Sequence, residues 1–150
     1  MCIRDSYGGE GEKMDLSGKA FLNVDFSGKD LNGADFENCK FYHCTFDNAS
    51  LVNCNLQNAL FSNCSLYNAT AEEAELQNAR FFSCNLAKAF FTHSNFKEAV
   101  LKSCQTTSSS FMNCCIENIA LEETDLPNDE MFNSELDWIK NDIPDFEPNM

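Results

Sequence analysis

Large apolar residues recur every five positions along most of this chain. Leu16, Phe21, Phe26, Leu31, Phe36, Phe41, Phe46 and Leu51 begin a series that keeps step to Leu126 through 23 units, without an insertion or deletion. Only Ala71 and Thr106 break the series with something smaller or polar. Two positions before each large residue the chain is small, with Ala, Cys, Ser or Thr in 18 of the 23 units. Two positions after it, Asn or Gly stands in 14 of them. Neither the 3.6-residue period of a helix nor the two-residue period of a strand produces this spacing. Asn and Gly tolerate the positive φ that a tight corner demands. Each unit therefore reads as a very short extended piece followed by a corner. Its central large residue and the small residue point inward, and the two residues flanking the centre point outward. A chain that turns a corner every five residues must wind into a coil.

Units such as ADFEN (34–38), ASLVN (49–53), CNLQN (54–58) and CSLYN (64–68) resemble the pentapeptide-repeat family, and the resemblance covers residues 14–128. It implies an all-β solenoid, a right-handed quadrilateral parallel β-helix of about six coils with 20 residues to the coil. The spacing supports that number independently. Phe21, Phe41, Phe61 and Phe81 are twenty apart, as are Cys44, Cys64, Cys84 and Cys104. Like residues are expected to stack in columns, the phenylalanines as a core ladder and the cysteines as an inward thiol column. Backbone groups would then pair with the coils above and below.

A solenoid exposes an apolar cross-section at each end and needs caps. Residues 129–150 are expected to form a short C-terminal capping helix, from about Asp129 to Asn141, followed by an acidic tail. Met131, Phe132, Leu136 and Ile139 fall at helical spacing on the side that would cover the last coil. At the other end Lys19 and Lys29 occupy small inward positions, so the first coil must be open enough for both to reach water. Residues 1–13 read as a flexible segment. Its opening MCIRDS resembles one reading frame of a sequencing adapter, so this N-terminus is expected to be artefactual or truncated and is left out of fold reasoning.

Composition narrows the function. One domain of 150 residues with a net charge of −14 argues against direct binding to nucleic acid phosphates. No apolar run is long enough to suggest a membrane span. Nine cysteines without metal-type pairs read as free thiols in a reducing cytoplasm. The cysteine column invites a metal or redox reading, but Cys is also a small hydrophobe in a slot that Ala and Ser share. No metal and no cofactor are expected. His43 and His93 both fall at corners, two and a half coils apart, and no nucleophile with its base can be assembled. An enzyme is not expected.

The outward residues distinguish the four sides. The side built on Phe21, Phe41, Phe61 and Phe81 presents Leu22, Tyr42, Leu60, Phe82 and Val100, interleaved with Lys40, Arg80 and Lys102. The side built on Leu16, Phe36, Leu56 and Leu76 presents Asp15, Asp35, Glu37, Asn55, Gln57, Glu75 and Gln77. Apolar surface mixed with Arg and Tyr has the composition of interfaces. The expected function is a non-catalytic protein-interaction scaffold, with that first side meeting a protein partner or a second copy. The resemblance implies an alternative, since some relatives protect a type II topoisomerase (DNA gyrase) by imitating duplex DNA. This chain is acidic but carries no charge between Asp47 and Glu72, whereas a mimic needs a continuous acidic stripe.

Overall fold

The computed structural model describes residues 14–127. The capping helix expected at Met131, Phe132, Leu136 and Ile139 lies outside the described residues, as do residues 1–13. Six three-residue strands recur every twenty positions: β1 (Ala20–Leu22), β2 (Lys40–Tyr42), β3 (Leu60–Ser62), β4 (Arg80–Phe82), β5 (Val100–Lys102) and β6 (Ala120–Glu122). They pair in parallel, in chain order, as one sheet. The register matches Phe21 to Phe41, Phe41 to Phe61 and Phe61 to Phe81. Each turn of the solenoid therefore takes the expected twenty residues, and the path from β1 to β6 makes about five turns.

The other three sides are joined by single parallel bridges with the same step. Asp15 pairs with Asp35 and Asp35 with Asn55; Thr45 with Ser65 and Ser65 with Asn85; Ser50 with Thr70 and Thr70 with Phe90. The result is a four-sided, all-strand parallel solenoid, and no helix occurs among the described residues.

The five-residue period puts the large central residues of the middle coils inside, while Leu16, Phe21 and Leu126 near the ends are partly buried and Leu121 is 39% exposed. Phe36, Phe41, Phe46, Leu51, Phe61, Leu76 and Phe81 are fully buried. The phenylalanines of one column lie face to face, with ring centroids 4.8 Å apart for Phe41–Phe61 and 4.6 Å for Phe61–Phe81. The adjacent column stacks Phe26 on Phe46 at 4.7 Å. Between columns the rings meet edge to face, as Phe41 and Phe46 do at 5.1 Å and 82°. The edge-to-face contacts suit the ring quadrupole, and the stacked contacts follow from the coil spacing that sets one ring above the next. Lys19 is exposed and Lys29 half-buried, as an open first coil requires.

Every corner residue from Gly18 (φ 76) to Glu123 (φ 50) has a positive φ. This includes Glu73, Ser83, Lys88, Glu98, Ser103 and Ser108, which do not favour that conformation. Coils above and below impose the geometry: the corner N–H of Asn48 donates to Tyr67 O at 2.9 Å, and that of Glu73 to Thr92 O at 3.0 Å. Most corners are also closed by a turn bond, such as Ala49 N to Phe46 O at 2.9 Å. The corners that follow β2, β3 and β4 have no such bond among the described residues. Their carbonyls accept from a cysteine thiol of the next coil. The thiols of Cys64, Cys84 and Cys104 donate to Phe41 O, Phe61 O and Phe81 O at 3.3, 3.3 and 3.4 Å. Cys44 does the same for Phe21 O at 3.5 Å. Thiols also reach corners that keep their turn bond: Leu31 O accepts from both Ala34 N at 3.1 Å and Cys54 Sγ at 3.0 Å. The three-residue strands occur only on the side with the successive open corners.

Ser94 shows the same device on another side. Its hydroxyl donates to Ala71 O at 2.6 Å and accepts from Ala74 N at 3.0 Å, filling a corner that lacks its own turn bond. Ser94→Ala would strand both groups in a buried site and is expected to cost about 1–3 kcal/mol, read as a lower urea midpoint. Ser94→Cys, which copies the neighbouring corners, should recover part of the loss.

Candidate interaction surface

The strand side gathers all eight residues expected on a contact face. One outward column runs Lys40, Leu60, Arg80, Val100, and the other Leu22, Tyr42, Ser62, Phe82, Lys102. Lys40, Arg80 and Lys102 are exposed, and Tyr42, Leu60, Phe82 and Val100 are half-buried by their neighbours. Leu22 is 64% exposed. The single carboxylate on this sheet, Glu122, lies 3.8 Å from Lys102. Lys40 and Arg80 form no ion pair with any described residue.

The remaining sides are acidic or neutral. Asp35, Glu37 and Glu75 share one of them with amides that partner the carboxylates. Asn55 Nδ2 donates to Asp35 Oδ1 at 3.2 Å, and Gln77 Nε2 to Glu75 Oε1 at 2.8 Å. Asn55 and Gln57 occupy the circuit between these acids, so the acidic stripe is interrupted. Lys97 on this side is 3.9 Å from Glu117.

Beside the strand side, the open corner forms a shallow trough of about 500 Å³, lined by His43, Asn63, Ser83, Asn85 and the edges of Cys44, Cys64 and Cys84. The thiols themselves are 2%, 3% and 2% exposed. Hydrogen bonding with Cys104 and Cys64, together with burial, holds the Cys84 thiol far above its ordinary pKa. Cys64 and Cys104 lie below it, chiefly through their hydrogen bond with Cys84. Burial pushes Cys44 up. Thiols facing carbonyls link successive coils at these corners, a role beyond the space-filling that residue size suggests. No group of three or more His, Cys, Asp or Glu among the described residues is placed to hold a metal ion. No helix among them is long and apolar enough to cross a membrane.

Some exposed apolar residues were not anticipated. Phe90 and Met112 are 44% and 39% exposed on another side, and Tyr67 lies under Lys88 Nζ at 5.7 Å. Phe90 is visible in the sequence in retrospect, because its column otherwise holds Asp30, Ser50, Thr70 and Ser110.

Stacked circuits with laddered sides define a repeat-built β-solenoid, each circuit contacting only its neighbours. The chain belongs to the pentapeptide repeat family: the family model for pentapeptide repeats matches in 8 copies over residues 21–58, 46–81 and 74–111. Similar solved structures include the pentapeptide repeat protein Rfr23 from the cyanobacterium Cyanothece 51142, with 21% identity, 76% of this chain and 88% of that chain covered, and a TM-score of 0.49. A pentapeptide repeat protein from the Arabidopsis thaliana thylakoid lumen has 23% identity, with 76% and 72% covered and a TM-score of 0.38. QnrB1, a plasmid-mediated fluoroquinolone resistance protein, has 20% identity, with 84% and 92% covered and a TM-score of 0.30. No curated protein matches the chain.

Proposed function

We propose that this chain is a non-catalytic scaffold that binds another protein through the strand side. One observation carries the reading: a regular sheet face on which Leu22, Tyr42, Leu60, Phe82 and Val100 alternate with three cations, in a molecule that is otherwise acidic. Tyr and Arg are among the residues that most often supply binding energy at protein contacts, and Tyr42 and Arg80 both stand on this face. A flat ladder meets a partner well and encloses a small substrate poorly. Self-association through this face is disfavoured, because a second copy would set Lys40, Arg80 and Lys102 against like charges. The free cysteines support a cytoplasmic setting. The alternative of a gyrase protector needs an unbroken acidic stripe, and Asn55 and Gln57 break it.

The double variant Leu60→Glu, Phe82→Glu tests the scaffold reading. Its side chains point outward, so circular dichroism should be unchanged while partners captured by the native chain are lost. Unaltered partners together with an unaltered oligomeric state would remove the reading.

A further inference from the structure

Building on that contact reading, we infer that the strand side holds an acidic polypeptide segment in an extended polyproline II conformation. Two of its carboxylates, three residues apart, meet Lys40 and Arg80, and the backbone between them passes over Leu60. Charge selects the partner. Of the seven Lys and Arg residues in 14–127 this face presents three, and of the fourteen Asp and Glu residues there it presents one. Lys102 shares its charge with Glu122, 3.8 Å away. Lys40 and Arg80, unpaired among the described residues, share one column with Leu60 between them. The strand side, with three cations to one carboxylate, is where an acidic ligand meets the greatest local excess of positive charge.

Spacing selects the conformation. Lys40 and Arg80 are two coils apart, about 9.6 Å at the usual separation of parallel strands. A polyproline II segment repeats every three residues, about 9.3 Å, so its carboxylates keep step with the ladder. A β-strand ligand presents one side every two residues, at about 6.6–6.8 Å, and falls out of step. The sheet's hydrogen-bonding edges lie at the ends of the solenoid, so a ligand on the face receives no backbone ladder. Polyproline II needs none, and its proline rings pack on aromatic side chains such as Tyr42 and Phe82.

Fluorescence anisotropy of the native chain with labelled proline-based peptides of about twelve residues tests this. One peptide carries Asp at positions i and i+3, an isomer carries them at i and i+2, a third carries Lys in place of Asp, and an oligothymidylate of equal length serves as nucleic acid. The i, i+3 peptide should bind about tenfold tighter than its isomer, and the Lys peptide should not bind. Lys40→Glu or Arg80→Glu, each checked for native circular dichroism, should weaken binding about tenfold or more. Equal binding of the two acidic isomers, tighter binding of the oligothymidylate, or no peptide binding each overturns the inference. If no peptide binds but Leu60→Glu, Phe82→Glu still changes partners, the scaffold stands and only the acidic segment falls.

Discussion

Phe61→Ala is expected to lower the stability of the solenoid by about 3–5 kcal/mol, the range for emptying a buried aromatic site. The ring stacks on Phe41 and Phe81 at 4.8 and 4.6 Å and meets Phe46 edge-on at 5.8 Å. It is fully buried at the middle of the column. Collapse cannot fill the space, because the coil spacing is held by backbone bonds on every side, such as Leu60 N to Cys39 O at 2.9 Å and Asn63 N to Phe82 O at 2.9 Å. Circuits contact only their neighbours, so the defect also weakens the coupling between the two halves. Urea unfolding should show a lower midpoint and a broader or divided transition. Phe61→Leu should cost far less, since Leu101 occupies the same column and is fully buried there. A loss below about 1 kcal/mol for the alanine variant, outside the range for such sites, would mean that the column does not bind the circuits together.

Deleting Asn58 alone is expected to abolish cooperative folding. It would put Ala59 at the corner, Leu60 at the small inward position and Ser62 at the centre, and turn Phe61 and every later large residue outward. A one-residue slip has the same consequence in any sheet with one buried face, but here it propagates through the rest of the chain. Deleting residues 58–77, a far larger change, should be tolerated. Asn78 then takes the corner of Asn58, and Phe81 stacks directly on Phe41. Size-exclusion chromatography and urea titration should find a shorter, folded, somewhat less stable protein in the second case and aggregated or non-cooperative material in the first. Equal behaviour of the two would show that register does not control this fold.

The interior was the most legible part of the chain. A strict period with Phe41, Phe61 and Phe81 twenty apart leaves one way to bury them, so the circuit length and the inner columns could be read directly. Corners were legible where Asn48, Asn58 or Gly33 stood and illegible at Glu73 and Lys88, whose φ values of 56° and 61° are set by adjacent circuits rather than by their own preference. The confinement of strands to one side was hidden. It goes with the successive corners that lack a turn bond, and residue type alone does not reveal them: Cys54 and Cys114 reach Leu31 O and Phe91 O, which also keep their turn bonds. The candidate face was readable as a set of outward positions. That Lys40, Leu60 and Arg80 share one column follows from the same spacing, while the 3.8 Å approach of Lys102 to Glu122 needed the structure. Phe90 and Met112 are isolated apolar positions, Phe90 in a column that otherwise holds Asp30, Ser50, Thr70 and Ser110, so neither belongs to a repeating pattern.

The bonds that join circuits, such as Leu51 N to Thr70 O at 2.6 Å and Phe61 to Phe81 through the sheet, run lengthwise while the chain itself runs crosswise. Tension applied between the two ends would therefore load one circuit at a time, in the peeling direction, instead of shearing all of them together. Each twenty-residue circuit that tears off would pay out about 66–72 Å of chain while removing only about 4.8 Å of folded length. The molecule is mechanically anisotropic: it resists being squeezed across its packed girth and yields in even steps when pulled lengthwise.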